Sequence, residues 1–96
     1  MAHLRDGQRA IADYTQAIRV GYNRWNVYEG RGMFYAMMGE YDKAIADYSQ
    51  AIRINPKFSD AYFGRGVAWH DKGDYDKAIA SYTKAIEHNR RDDTAY

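Results

Sequence analysis

Along the chain, one arrangement of apolar positions is written three times: Ala10, Ile11, Tyr14, Ala17, Ile18; then Ala44, Ile45, Tyr48, Ala51, Ile52; then Ala78, Ile79, Tyr82, Ala85, Ile86. Within each set the offsets put every apolar residue on one stripe of an α-helix, with polar residues on the opposite side. Between these stripes run segments that begin near Trp25 and Ser59 and end at Gly39 and Gly73. Glycine suits the left-handed conformation that follows a helix end. Glu40 and Asp74 come next, where a negative charge favours the following helix N-terminus, and aspartate is also a capping type. Asn55-Pro56 stops another helix, because a residue before proline avoids the helical region. The pattern predicts five helices, at about 6–20, 25–38, 41–54, 59–72 and 75–88, with the final residues opening a sixth.

The period is 34 residues. Ala10 to Tyr14 match Ala44 to Tyr48, and Tyr28, Gly30, Arg31 and Gly32 match Tyr62, Gly64, Arg65 and Gly66. Gly39 matches Gly73, and Ala61-Tyr62 returns as Ala95-Tyr96. The chain has ten tyrosines, and all but Tyr22 sit on repeated positions, so the excess comes from copying structural positions. The units divide as a half repeat at 6–24, full repeats at 25–58 and 59–92, and the start of another at 93–96, all within one domain. A single helix pair cannot bury its apolar face, so neighbouring units must stack.

A 34-residue helix-turn-helix of this form resembles the tetratricopeptide repeat. The family's W-x2-L-G-x2-Y appears as Tyr28-x2-Arg31-Gly32-x2-Tyr35 and as Tyr62-x2-Arg65-Gly66-x2-Trp69. Its A-x3-F appears as Ala10-x3-Tyr14, Ala44-x3-Tyr48 and Ala78-x3-Tyr82, and its proline once, as Pro56. The resemblance covers about residues 6 to 96. It implies an all-α solenoid of antiparallel helix pairs, a right-handed superhelix whose concave face is lined by the first helix of each pair. The chain departs from the family at Arg31 and Arg65, where leucine is usual. A half-buried arginine needs a partner. The expected pairs are Asp13 with Arg31 and Asp47 with Arg65; the alternative is two solvated charges. The third copy of that aspartate is Ser81.

Composition narrows the function. Net charge is +1, there is no cysteine, and no apolar run approaches the length of a membrane span. Disulfides, thiolate metal sites and cysteine nucleophiles are excluded. No membrane partner is expected, and nucleic acid is not expected either, since Arg90-Arg91 is offset by Asp92-Asp93. RNA binding stays as a remote alternative, because tyrosines can stack on bases. The first residues lack the apolar core of a secretory signal, so a cytoplasmic location is the expectation. His3, His70 and His88 have no recurring metal spacing, and Gly30-Arg31-Gly32 and Gly64-Arg65-Gly66 lie inside helices, where they cannot cradle phosphate. No enzyme activity, metal or cofactor is expected.

What the resemblance implies instead is binding. Family ligands lie along the concave face, which here falls on Asn26, Glu29, Met33, Ala36 and Met37, and on Asp60, Phe63, Val67, His70 and Asp71. This is an apolar strip with acid at its margins. It suits an apolar, basic-flanked helix or extended peptide from a protein partner. The family's clamp for C-terminal carboxylates uses basic groups on this face, and Glu29 and Phe63 stand where they would be needed. A competing reading is self-association. Tyr14 and Ile18 at one end, and Ile79, Tyr82 and Ile86 at the other, lack neighbouring repeats, so a homo-oligomer is expected, with a twofold dimer the favoured form. The other explanation for the open ends is a fragment of a longer chain.

Overall fold

The computed structural model describes the backbone of residues 2–94 and the side chains of residues 5–89. Its elements are α1 (Ala2–Arg19), α2 (Trp25–Met37), α3 (Tyr41–Ile54), α4 (Ser59–Lys72) and α5 (Tyr75–Thr94). The three middle helices fall within one residue of the predicted ranges. The punctuation works as the residues dictate. Gly39 and Gly73 adopt φ of 79° and 100°, a conformation that side chains resist, and so turn the chain at the ends of α2 and α4. The Asp74 carboxylate accepts a 3.2 Å hydrogen bond from the Lys77 backbone N–H, capping α5. Glu40 makes no such side-chain cap for α3.

The ends depart from expectation. α1 begins at Ala2, and α5 runs to Thr94 without the break expected near residue 88. Pro56 ends the equivalent helix, but Arg90 holds that place in the next repeat and allows the helix to continue. Residues 93 and 94 extend α5 instead of opening a sixth helix, and Ala95 and Tyr96 lie outside the described residues. So do the side chains of His3, Arg90, Arg91, Asp92 and Asp93.

Each helix packs on its neighbours in sequence, and α2 also touches α4. Among the described residues the backbones of α1, α3 and α5 do not meet one another. The odd-numbered helices are therefore splayed while α2 and α4 close up, which puts α2 and α4 on the inner side of the stack. The core is Ala44, Tyr48, Ala51, Ala61 and Ala68, with Trp25, Tyr28, Tyr35, Ile45, Ile52 and Phe58 packed around it. Alanine lets the helices approach, and the aromatic rings fill the space beside them.

Glycine makes the closest approaches possible. The Tyr48 ring lies where a Cβ on Gly64 would stand, 2.6 Å away, and the Tyr14 ring does the same at Gly30. A tyrosine on the second helix of one unit thus rests on bare backbone in the next. Tyr14, expected at the open N-terminal end, is half-buried in this way. Its ring sits under α2, 6.1 Å from Phe34, and Ile18 is half-buried.

The arginines are paired, but not as expected. Arg31 donates from Nε and Nη2 to the two Asp47 carboxylate oxygens at 2.7 and 2.8 Å, and from Nη1 to Thr15 at 3.2 Å. Arg65 donates from Nε to Ser81 Oγ at 3.2 Å and from Nη1 to Ser49 Oγ at 3.4 Å. Asp13 is solvent-exposed, and Asp47 faces Arg31 instead of Arg65, so both proposed pairs are wrong. The reason is helical phase. Asp13 is two residues from Thr15, which turns it about 200° around the helix, away from the interface.

Candidate functional site

Two helices of the inner layer build the groove. On α2, Glu29, Met33, Ala36 and Met37 recur at helical spacing, and on α4 so do Asp60, Phe63, Gly64, Val67 and Asp71. Together with Tyr48 they line an open cavity of about 460 Å³. Eight of the ten residues predicted for the concave face lie in it. Asn26 is exposed and does not line it, and His70 turns instead toward the Tyr75 ring and Asp71. Tyr48 and Gly64 were not anticipated there, because their place in the repeat reads as packing. The signal was available: a glycine exposing the ring beneath it opens that ring to the groove.

The groove is apolar in its middle and acidic at its ends. Met33 is 42% exposed, Phe63 57% and Met37 72%, a large uncovered apolar surface for so small a chain. Glu29 is half-buried. Burial pushes its carboxyl pKa up, and the nearby Asp60 charge adds to the rise. Tyr48 is pushed up to about 12, chiefly by burial and then by Glu29 and Asp47, so its phenol is neutral at physiological pH. Among the described residues no lysine or arginine lines the cavity. Among the described residues no cluster of three or more histidine, aspartate or glutamate side chains could hold a metal ion.

A second groove lies at the C-terminal end, between α4 and α5. Ser59, Asp60, Phe63, Tyr82, Ala85, Ile86 and Asn89 enclose about 410 Å³. Ile86 is open to solvent there at 57%, and Ile79, on the same helix but outside the groove lining, is 61% exposed. Tyr82 is only half-buried, its ring against Gly66 and 5.5 Å from Phe63. One repeat earlier the equivalent surface is covered: α4 lies over Tyr48, and Ala51 is fully buried. Among the described residues no helix is long and apolar enough to cross a membrane.

Comparison with known proteins fits this geometry. A TPR repeat model matches residues 32–73, and a tetratricopeptide repeat model matches residues 59–92. No curated protein matches the chain. Among solved structures, MamA is similar at 35% identity and a TM-score of 0.88, over 93% of this chain and 52% of its own. The Sgt2 TPR domain from Aspergillus fumigatus is 32% identical with a TM-score of 0.83, over 88% of this chain and 56% of its own. The second TPR of Spaghetti (RPAP3), solved with the HSP90 peptide SRMEEVD, is 28% identical with a TM-score of 0.79, over 83% of this chain and 74% of its own. The chain spans about half the length of the MamA structures it matches.

Proposed function

Because the chain belongs to the tetratricopeptide repeat family, we propose that it is a protein-interaction module that takes a peptide or partner segment in the groove between α2 and α4. The observation that carries this reading is the uncovered apolar strip of Met33, Met37 and Phe63 on the inner helix layer, framed by polar residues. The peptide-bound Spaghetti domain supports it, as a similar fold that holds a peptide. A peptide-display selection against the purified chain tests it. Selected peptides should lose binding to Met33→Asp with Phe63→Asp, provided circular dichroism shows the helices retained. Undiminished binding to that variant would refute the groove.

A second reading, self-association through the C-terminal groove, is favoured by one observation. Tyr82, Ala85 and Ile86 form a surface whose counterpart one repeat earlier lies beneath a helix. Each large apolar side chain left in water forgoes about 1.5–3 kcal/mol, a sizeable share of a small domain's stability. Light scattering across a dilution series decides. A mass of twice the 11.1 kDa chain, broken by Ile86→Asp, supports the dimer; a monomer at all concentrations removes it.

A further inference from the structure

We infer that the segment held by the α2–α4 groove is cationic and amphipathic, laying apolar side chains on Met33, Met37, Phe63 and Val67 and seating a lysine or arginine between Glu29 and Asp60. The inference rests on the groove reading above and names the chemistry of its occupant. Its basis is charge complementarity. The chain as a whole carries 14 lysines and arginines and 13 acidic residues, yet among the described residues the groove holds Glu29, Asp60 and Asp71 and no lysine or arginine. Five acids outside the groove meet bases: Asp47 with Arg31, Asp42 with Lys72, Glu40 with Lys43, Asp74 with Lys77 and Glu87 with Lys84, while Asp6, Asp13 and Asp76 stand on the open surface. Glu29 and Asp60 have no lysine or arginine within ion-pairing distance among the described residues. Two like charges are thus left facing one apolar strip. The raised Glu29 pKa reflects the same strain, from burial first and Asp60 second. A cation between them would relieve both, and peptide burial would strengthen that contact by excluding water.

The geometry also sets the order of chemistry along the occupant. Asp60 lies in the first turn of α4 and Asp71 near its last, with Phe63 and Val67 between. Eleven residues of helix span roughly 16 Å. Asp71 already meets His70 Nδ1 through Oδ1 at 3.3 Å and offers its other oxygen, so the occupant is basic at one end, apolar over about five extended residues, and more weakly basic at the other. An acidic segment such as SRMEEVD, the peptide in the Spaghetti structure, would meet carboxylates at both ends of this groove.

The test uses three synthetic amphipathic peptides of one apolar pattern, with leucine on the apolar positions and lysine, glutamine or glutamate on the polar ones. Fluorescence anisotropy measures their binding to the intact chain at low and high salt. The lysine peptide should bind about tenfold tighter than the glutamine peptide at low salt, and the glutamate peptide weakest. Glu29→Gln with Asp60→Asn should erase the lysine preference, while Asp76→Asn, an exposed acid outside the groove, should keep it. Met33→Ser with Met37→Ser, which adds no charge, should weaken all binding. Equal binding of lysine and glutamine peptides, with both lost in the methionine variant, overturns the cationic inference and leaves the groove standing. A lysine preference that survives Glu29→Gln with Asp60→Asn also overturns it. Binding indifferent to the methionine variant, or no binding by any peptide, overturns the inference and the groove reading together.

Discussion

Substituting Ser81→Asp would give Arg65 the carboxylate that Arg31 already has. Arg31 and Arg65 occupy the same place in consecutive repeats, yet Arg31 makes a two-pronged ion pair with Asp47, and Arg65 makes single bonds to two hydroxyls. Burial lowers the Arg65 pKa, opposed only by Tyr62, whose ring lies 5.4 Å below the guanidinium. The new carboxylate would be as deeply placed as its model, since Ser81 is 3% exposed and Asp47 4%. Two charged hydrogen bonds contribute about 1.5–3 kcal/mol each, and desolvating the carboxylate costs several kcal/mol, so a net gain of about 1–2 kcal/mol is expected. For a domain of this size that raises Tm by about 5–10 °C. In an Arg65→Met background the same substitution buries a lone carboxylate and should cost about 3 kcal/mol. Urea denaturation of the four proteins of this cycle gives the coupling directly, expected near 4 kcal/mol. A coupling below about 1 kcal/mol would refute the view that Arg65 sits in a charge-pairing slot left half-filled.

Three further expectations follow from the packing and the charges. Gly64→Ala places a methyl 2.6 Å from the Tyr48 ring and should destabilise by about 1–3 kcal/mol, with Tyr48→Leu partly restoring stability in the same urea assay. Asp74→Ala removes the α5 cap and should cost about 1 kcal/mol, seen as faster amide exchange in the first turn of that helix; unchanged exchange at Lys77 would count against the cap. Glu29 has a folded-state pKa raised by burial and by Asp60, so its stabilising contribution is complete below the unfolded carboxyl pKa and is lost as pH rises through the folded value. The urea midpoint of Glu29→Gln should therefore fall less over that rise than the midpoint of the unaltered protein, and identical profiles would remove Glu29 from the balance.

Much of the fold was legible because the repeat states it twice. The stripe at Ala44, Ile45, Tyr48, Ala51 and Ile52, and the stops at Gly39, Gly73 and Pro56, are local signals with local causes, and α3 and α4 start and stop where these signals say. The length of α5 was missed because its stop depended on a proline that only the previous repeat has. The arginine pairing was missed because a plausible charge partner was chosen without the register of the hairpin. Arg31 and Asp47 are each eight residues from Gly39, and Arg65 and Ser81 are each eight from Gly73. Residues equidistant from a tight turn face each other across an antiparallel pair. The same rule, applied about the turns near Tyr22 and Pro56, brings Thr15 to Arg31 and Ser49 to Arg65.

That register separates two kinds of position within each repeat. Several positions that serve the hairpin or the stacking of units are written again, Tyr28 as Tyr62, Gly30 as Gly64, Arg31 as Arg65, Gly32 as Gly66 and Gly39 as Gly73, while Asp47 becomes Ser81 and the places of Val27 and Phe34 pass to the buried Ala61 and Ala68. Gly30 and Gly64 each face a tyrosine ring, Gly39 and Gly73 each turn the chain, and Arg31 and Arg65 each reach the following helix, at a carboxylate in one repeat and a hydroxyl in the next. On the inner face none is repeated. Asn26 becomes Asp60, Glu29 becomes Phe63, Met33 becomes Val67, Ala36 becomes His70 and Met37 becomes Asp71. On the groove reading proposed above, a bound segment would meet Glu29 and Asp60 at one end, apolar side chains in the middle and Asp71 at the other. An occupant matched to that order must present basic groups at its ends and apolar groups between them, which is why moving the lysines of a test peptide from its ends to its middle should weaken binding even at constant composition.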